Sequence, residues 1–134
     1  QRRLVSEFPW ALVSGPRNAK KRLPSLLHIS FPLLDARRLV IALERRGVYV
    51  GTGSACAASK MRQSHVLQAI GVPAAVAQGS LRLTLGRSSC EADIEYAAEQ
   101  IIEVVHSELT RLGLTEAELA AARDSASVSM GGTR

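Results

Sequence analysis

Short runs of apolar and alternating residues predict a small β-sheet. Residues 10–14, "WALVS", and residues 25–31, "SLLHISF", have the pattern of strands, and Pro32 ends the second because proline cannot donate to a sheet ladder. Residues 80–85, "SLRLTL", alternate strictly, with leucines on one face and Ser80, Arg82 and Thr84 on the other. We expect one face of the sheet to meet the core and the other to face polar surroundings.

Helical patterns alternate with these strands. Three helices are predicted: from Asp35, a capping residue, to Gly47; over residues 63–70, with Val66, Leu67 and Ile70 inward; and from a cap at Ser88 or Ser89 to about Leu112. A brief strand at 48–50 and a helical turn at 74–78 complete the pattern. The predicted fold class is α/β, in an α+β layered arrangement with helices packed against one small sheet.

The chain is predicted to hold one domain over residues 1–112 and a flexible tail over residues 113–134. Its 134 residues are the length of a single domain. The last segment, "TEAELAAARDSASVSMGGTR", begins as a short helix and then loses its periodicity among Ser, Gly and other small residues. The opening residues, "QRRLVSEF", have the pattern of a helix already under way, which indicates a piece of a longer protein.

Composition and charge narrow the classes of function. No apolar run approaches the roughly 18 residues of a membrane span, and no secretion signal is visible, so we predict a cytoplasmic protein. Two cysteines without a CxxC motif or a His/Cys cluster predict free thiols and no metal site. The formal charge is +5, but the basic residues fall in pairs without interleaved aromatics. We therefore interpret them as solvated faces and expect no nucleic-acid or membrane partner.

The most informative stretch is "GTGSACAAS" at residues 51–59, where Cys56 stands among residues with almost no side chain. Such a segment cannot anchor itself in a core, so we expect a mobile loop between a strand and a helix. Lys60 and Arg62 follow closely and favour the thiolate. We interpret Cys56 as an accessible, reactive thiol, whereas Cys90, at the start of a long helix, is expected to have a structural or incidental role.

Three motifs in order, "GTGSACAAS", "SHVLQAIGV" and "GSLRLTLGR", resemble the C-terminal part of the NifS/IscS-type cysteine desulfurases. The resemblance covers about residues 10–112 and implies the small C-terminal domain of a fold-type I, pyridoxal-phosphate-dependent enzyme. It implies that Cys56, in a catalytic loop over residues 51–62, takes sulfur from L-cysteine as a persulfide. It implies that Arg82 binds the substrate carboxylate, a role that suits the planar guanidinium.

The chain also departs from this family. Ala57 and Ala58 follow the cysteine where relatives commonly have Thr-Ser, and none of the lysines, Lys20, Lys21 and Lys60, has the setting of the cofactor lysine. The resemblance therefore implies that pyridoxal 5'-phosphate is bound by a large domain absent from this chain, so no cofactor-binding residue is assigned and the fragment alone is expected to be inactive. The full protein is expected to be a homodimer that passes sulfur to an acceptor or scaffold protein for iron–sulfur cluster or thio-cofactor assembly.

The remaining candidate residues and functions have other interpretations. His28, His65 and His106 are interpreted as packing or surface residues, and Arg87 as a partner for the acidic start of the next helix. Another fold-type I enzyme, such as a selenocysteine lyase or an aminotransferase, is a second possibility, although an aminotransferase has no need of a loop thiol. A non-catalytic module that binds sulfur-carrier or scaffold proteins is the alternative from a different class.

Overall fold

A four-stranded antiparallel sheet organises the chain. The computed structural model describes residues 1–16, 18–52 and 64–130. The strands are β1 (Leu12–Val13), β2 (Leu26–Ser30), β3 (Gly51–Thr52) and β4 (Ser80–Thr84), in the order β1-β2-β4-β3. The two longest strands, β2 and β4, therefore lie at the centre of the sheet, and two-residue strands form its edges.

Six α-helices accompany the sheet in the described residues. They are α1 (Arg2–Glu7), α2 (Ala36–Glu44), α3 (His65–Ala69), α4 (Ala74–Ala77), α5 (Glu91–Leu112) and α6 (Glu116–Met130), with a 3-10 turn at Ala19–Lys21. The predicted cap of α2 is confirmed, since Asp35 Oδ1 accepts a hydrogen bond from Arg37 N at 2.9 Å. The small layered α/β architecture predicted from the sequence is confirmed.

Two element boundaries differ from the prediction for local reasons. Residues 48–50 are not a strand, because Val48 N donates to Leu43 O at 3.0 Å and so serves the C-terminal end of α2. The strand begins instead at Gly51. Helix α5 is capped by Cys90, because Ser89 Oγ accepts from Gly86 N at 3.0 Å in the preceding turn.

The apolar face of the sheet forms the main core with α1, α2 and α5. Ile29 of β2 and Leu81 of β4 have no exposed surface, and they pack in one cluster with Leu39 and Leu43 of α2 and Ile101 of α5. Burying five large aliphatic side chains of this kind stabilises the fold by about 2 kcal/mol each. This cluster supplies most of the packing that holds the sheet against the helices.

A smaller cluster covers one end of the opposite face. Leu67 of α3, Val72, Val76 of α4 and Ala126 of α6 pack together, with the half-buried Leu12 against them. Leu12 is the Cα partner of Ser30, so it lies on the same face of the sheet as Ser30. Of the three α3 residues predicted to point inward, only Leu67 is buried, because this five-residue helix touches the cluster through a single position.

The segment after residue 113 differs from the predicted flexible tail. Its residues from Glu116 to Met130 form α6, in which Leu119 and Ala126 are fully buried. These positions are seven apart and therefore lie on one side of a helix, and Arg123 Nη1 donates to Pro9 O at 2.7 Å. The helix is packed against the domain. Across the described residues, no helix has the length and hydropathy needed to cross a bilayer.

The packing of α6 can be tested by truncating its buried leucine. We expect Leu119→Ala to lower the free energy of unfolding by about 2–5 kcal/mol, because the side chain is fully buried in the main core. Leu112→Ala is the matched control; this leucine is 41% exposed and its truncation should cost less than about 0.5 kcal/mol. Urea denaturation measures both, and equal effects would contradict the packing of α6.

Candidate functional site

Arg82 lies in the middle of β4, on the polar face of the sheet. Its Cα partners are His28 of β2 on one side and Gly51 of β3 on the other. Its side chain is exposed, whereas its neighbour Leu81 is completely buried. The alternation in the sequence predicted this placement, and the strand therefore presents a guanidinium outward from a rigid support.

Gly51 leaves space for the Arg82 guanidinium because it has no side chain. A Cβ at position 51 would lie 3.2 Å from Arg82 Nη2, 3.5 Å from Nε and 3.6 Å from Cζ. The guanidinium therefore runs close over the β3 backbone, at a spot where any larger residue would press on it. Gly51 is also the first residue of the predicted catalytic loop.

Arg82 has no carboxylate partner among the described residues. Five other arginines form ion pairs there: Arg3 with Glu95, Arg38 and Arg111 with Glu108, Arg46 with Glu103, and Arg123 with Asp124. A guanidinium offers two parallel hydrogen bonds to a carboxylate. Arg82 is thus an exposed group suited to an external carboxylate and not engaged by an internal one.

His28 faces Arg82 across the β2–β4 pair. Its Nδ1 shares a hydrogen bond with Ser14 Oγ at 2.9 Å, while its Nε2 is buried and has no hydrogen-bond partner among the described residues. Burial, and secondarily the positive charge of Arg82, lower the pKa of His28 below its usual 6.5. The sequence favours a packing role for His28, and a role in the site is not tested by its position beside Arg82. Its position on the polar face of β2 was the available sign, but the pairing register was not visible.

The segments that form the sheet contain basic residues but no acidic ones. Residues 8–34 and 45–90 contain no Asp or Glu, so every carboxylate of the chain lies outside the segments that form the sheet. The described acidic residues belong to α1, α2, α5 and α6 or to the cap of α2. With Arg82 and the half-buried Arg22 nearby, we infer a positive potential on the polar face.

Cys56 lies outside the described residues, together with Lys60 and Arg62. These three residues fall between positions 52 and 64, and the structure describes the residue at each end of this segment. Thr52 ends β3, and Ser64 caps α3 by accepting a hydrogen bond from Leu67 N at 3.5 Å. The segment thus starts from the strand that pairs with Arg82.

Cys90 has a local structural task. It is the N-cap of α5, and its backbone N–H donates to Asp93 Oδ2 at 3.0 Å. The two residues form a capping box, an arrangement that satisfies backbone groups at a helix start. This agrees with the structural role expected from the sequence, although the residue is exposed.

Two of the three lysines of the chain lie among the described residues. Lys20 and Lys21 are exposed in the 3-10 turn, and the third lysine, Lys60, is outside the described range. A cavity of about 650 Å³ lies behind the opposite face of β4, between Leu83, Tyr49 and Tyr96, and does not include Arg82. No three potential metal ligands cluster in the part of the chain that the structure describes.

Comparison with known proteins shows what the chain is similar to. No family model matches it. It is 36% identical over 104 residues to a cysteine desulfurase IscS of Clostridium botulinum, covering 78% of this chain and 26% of that protein. It is 38% identical over 93 residues to the corresponding protein of Dictyoglomus turgidum, covering 69% and 23%. The solved NifS-like protein of Rickettsia africae ESF-5 superimposes with a TM-score of 0.64 at 26% identity, over 78% of this chain and 26% of that one.

This chain is related to the NifS/IscS-type cysteine desulfurases. The predicted family resemblance is confirmed by both sequence and fold. The chain spans about a quarter of the length of the cysteine desulfurases it matches. The roles of Cys56 and Arg82 remain predictions.

The lowered pKa of His28 predicts a stability that depends on pH. Between the folded pKa and the usual 6.5, the unfolded chain binds more protons than the folded one, so stability falls as the pH drops below about 6.5. We expect His28→Gln to reduce this slope, and His65→Gln, at an exposed position, to leave it unchanged. Denaturation between about pH 5.5 and 8 measures the slope of stability against pH. Glu108 does not titrate in this range, because Arg38 and Arg111 lower its pKa from the usual 4.5. Equal slopes in both variants would contradict the assignment.

Proposed function

We propose that this chain is the C-terminal small domain of a pyridoxal-phosphate-dependent cysteine desulfurase. In this proposal the whole protein takes sulfur from L-cysteine, releases L-alanine and passes the sulfur to an acceptor or scaffold protein. The observation that supports it best is an exposed Arg82 that has no ion-pair partner among the described residues and lies on a strand that pairs with β3, from which the cysteine loop begins. The names of the relatives, cysteine desulfurases, agree with this function.

In the proposed function Arg82 binds the carboxylate of the substrate. The group is presented by the central strand β4 between His28 and Gly51, so its base is fixed while its guanidinium stays exposed. The absence of acidic residues from positions 45–90 leaves no carboxylate in that segment to compete for it. A pre-positioned fork of this kind would orient the amino acid as well as bind it.

Cys56 would accept the sulfur. In the overall step a bond forms between Cys56 Sγ and the substrate sulfur, and the substrate Cβ–S bond breaks. Cys56 thiolate, L-cysteine and one proton give Cys56 persulfide and L-alanine, so the sulfur atoms are oxidised while the substrate carbon is reduced. Pyridoxal phosphate, held by parts of the protein outside this chain, would supply the electron sink. This chain would contribute the nucleophile and the carboxylate site.

The same proposal includes the location and oligomeric state of the full protein and the use of its sulfur. The full protein would be a cytoplasmic homodimer, and its sulfur would serve iron–sulfur cluster or thio-cofactor assembly. The domain of residues 1–112 would contain the catalytic loop at residues 51–62. Helix α6 packs against the core of this domain.

The role of Arg82 predicts a specific kinetic defect in the full-length enzyme. Arg82→Lys keeps the charge but loses the bidentate geometry, and we expect kcat/KM for L-cysteine to fall about 10- to 100-fold, mainly through KM. Arg87→Ala is the matched control, because Arg87 is an exposed arginine three residues beyond β4 and is in no ion pair among the described residues. Steady-state alanine formation measures both. Equal activity of the two variants would exclude Arg82 from the carboxylate site.

The role of Cys56 predicts the site of the persulfide. With pyridoxal phosphate and L-cysteine, the full-length enzyme should form alanine and a persulfide on Cys56, and Cys56→Ala should abolish both. Cys90→Ala is the control and should retain both, because its thiol caps α5. Intact-mass analysis and alanine assays report the result. Turnover retained after Cys56→Ala would overturn the assignment.

A further inference from the structure

A second ionisable side chain stands beside the proposed carboxylate site. We propose that His28 is a positioning residue for this site, which acts through Arg82 and takes up a proton when a carboxylate binds there. The inference rests on the proposed function, because it takes Arg82 as the carboxylate-binding group. It adds a property that the proposed function does not include, a dependence of substrate binding on pH.

The sheet register puts His28 and Arg82 side by side. They are Cα partners in the antiparallel β2–β4 pair, so their side chains leave the same face of the sheet. In such pairs the Cβ atoms are about 5 Å apart. The Arg82 guanidinium lies toward Gly51, on the other side of β4 from His28. The two groups are close enough to interact electrostatically, and Arg82 keeps its hydrogen-bond donors for a ligand.

The imidazole is held in one place and is kept neutral by its surroundings. Nδ1 is fixed by Ser14 Oγ at 2.9 Å, and the Ser14 carbonyl accepts a hydrogen bond from Arg22 Nη2 at 3.4 Å. Burial lowers the pKa of His28, and the positive charge of Arg82 lowers it further. Arg22, from the connector before β2, is a second cation on this side, where it binds the backbone of the hydrogen-bond partner Ser14. No carboxylate among the described residues is paired with Arg82 or Arg22.

A bound carboxylate would change this balance. Its negative charge at Arg82 would offset the cation that opposes protonation of His28, so the imidazole would take up a proton from solvent as the ligand binds. Coupling between two binding events is reciprocal, so a lower pH must strengthen carboxylate binding by the same factor. The protonated imidazole would then hold a second positive charge beside the bound anion.

The experiment measures carboxylate affinity against pH in the full-length enzyme. Propionate is the probe, as a competitive inhibitor against L-cysteine, because its single ionisable group stays charged across the range from about pH 6 to 8.5. We expect its Ki to fall about two- to threefold as the pH is lowered through this range, because the carboxylate offsets the charge of Arg82 but leaves the effect of burial in place. The same fall should be absent in His28→Gln. The effect should appear in Ki and in KM for L-cysteine, with a smaller change in kcat.

The other two histidines are the controls. His65→Gln changes an exposed residue of α3, and His106→Gln changes a residue of α5 that pairs with Glu7 at 2.7 Å, away from the sheet face. Both should keep the pH dependence of the wild type. A Ki that depends on pH equally in His28→Gln and in the wild type, or that is flat in the wild type, would overturn the inference.

A measurement on the unmutated enzyme covers the case in which His28→Gln does not fold. Calorimetric titration with propionate in buffers of different ionisation enthalpy gives the number of protons taken up, and we expect uptake at about pH 6, below the usual pKa of histidine. No uptake would overturn the inference.

Arg82→Ala separates the two proposals: if this variant binds propionate as well as the wild type, the proposed role of Arg82 fails. If Arg82→Ala loses binding while proton uptake is absent in the wild type, only the role of His28 fails.

Discussion

The antiparallel ladder between β2 and β4 is the constraint on which the rest of the structure depends. Its five residue pairs run from Leu26 with Thr84 to Ser30 with Ser80, and the buried Ser30 and Ser80 hydroxyls share a hydrogen bond at 2.8 Å. Side chains alternate between faces, so a slip of one residue would turn Arg82 into the core. Gly79 helps to fix the register, because a Cβ there would lie only 1.9 Å from Phe31 O.

The two faces of this sheet differ in how far they are buried. The apolar face is closed by α1, α2 and α5, and its stability comes from burial, since exposed ion pairs such as Arg3 with Glu95 contribute little. On the opposite face the cluster of α3, α4 and α6 packs beside the Ser30 end, where Leu12 joins it. Further along β4 the Arg82 side chain remains exposed. The chain thus keeps a polar surface on a strand whose reverse side is packed into the core at Leu81.

Local patterns predicted the elements better than they predicted the contacts between them. Strict alternation identified β4 and the outward side of Arg82, because the two-residue period of a strand is written directly in the sequence. For the C-terminal segment the sequence predicted only a short helix at its start, and the length and packing of α6 were not predicted, since its buried face consists of one leucine and small alanines whose period is faint. The pairing of His28 with Arg82 joins residues far apart in the chain, and a register of this kind cannot be inferred from either strand alone.

The confinement of acidic residues to the helices has a consequence for how a small molecule would approach. Free amino acids are zwitterions at neutral pH, so a positive surface does not attract them as a whole. A field that weakens with distance still turns them, because the carboxylate and the ammonium are pulled in opposite directions. Near the strand segments, which contain no Asp or Glu, an amino acid would be rotated before contact. In the proposed function, the substrate would therefore reach Arg82 with its carboxylate leading.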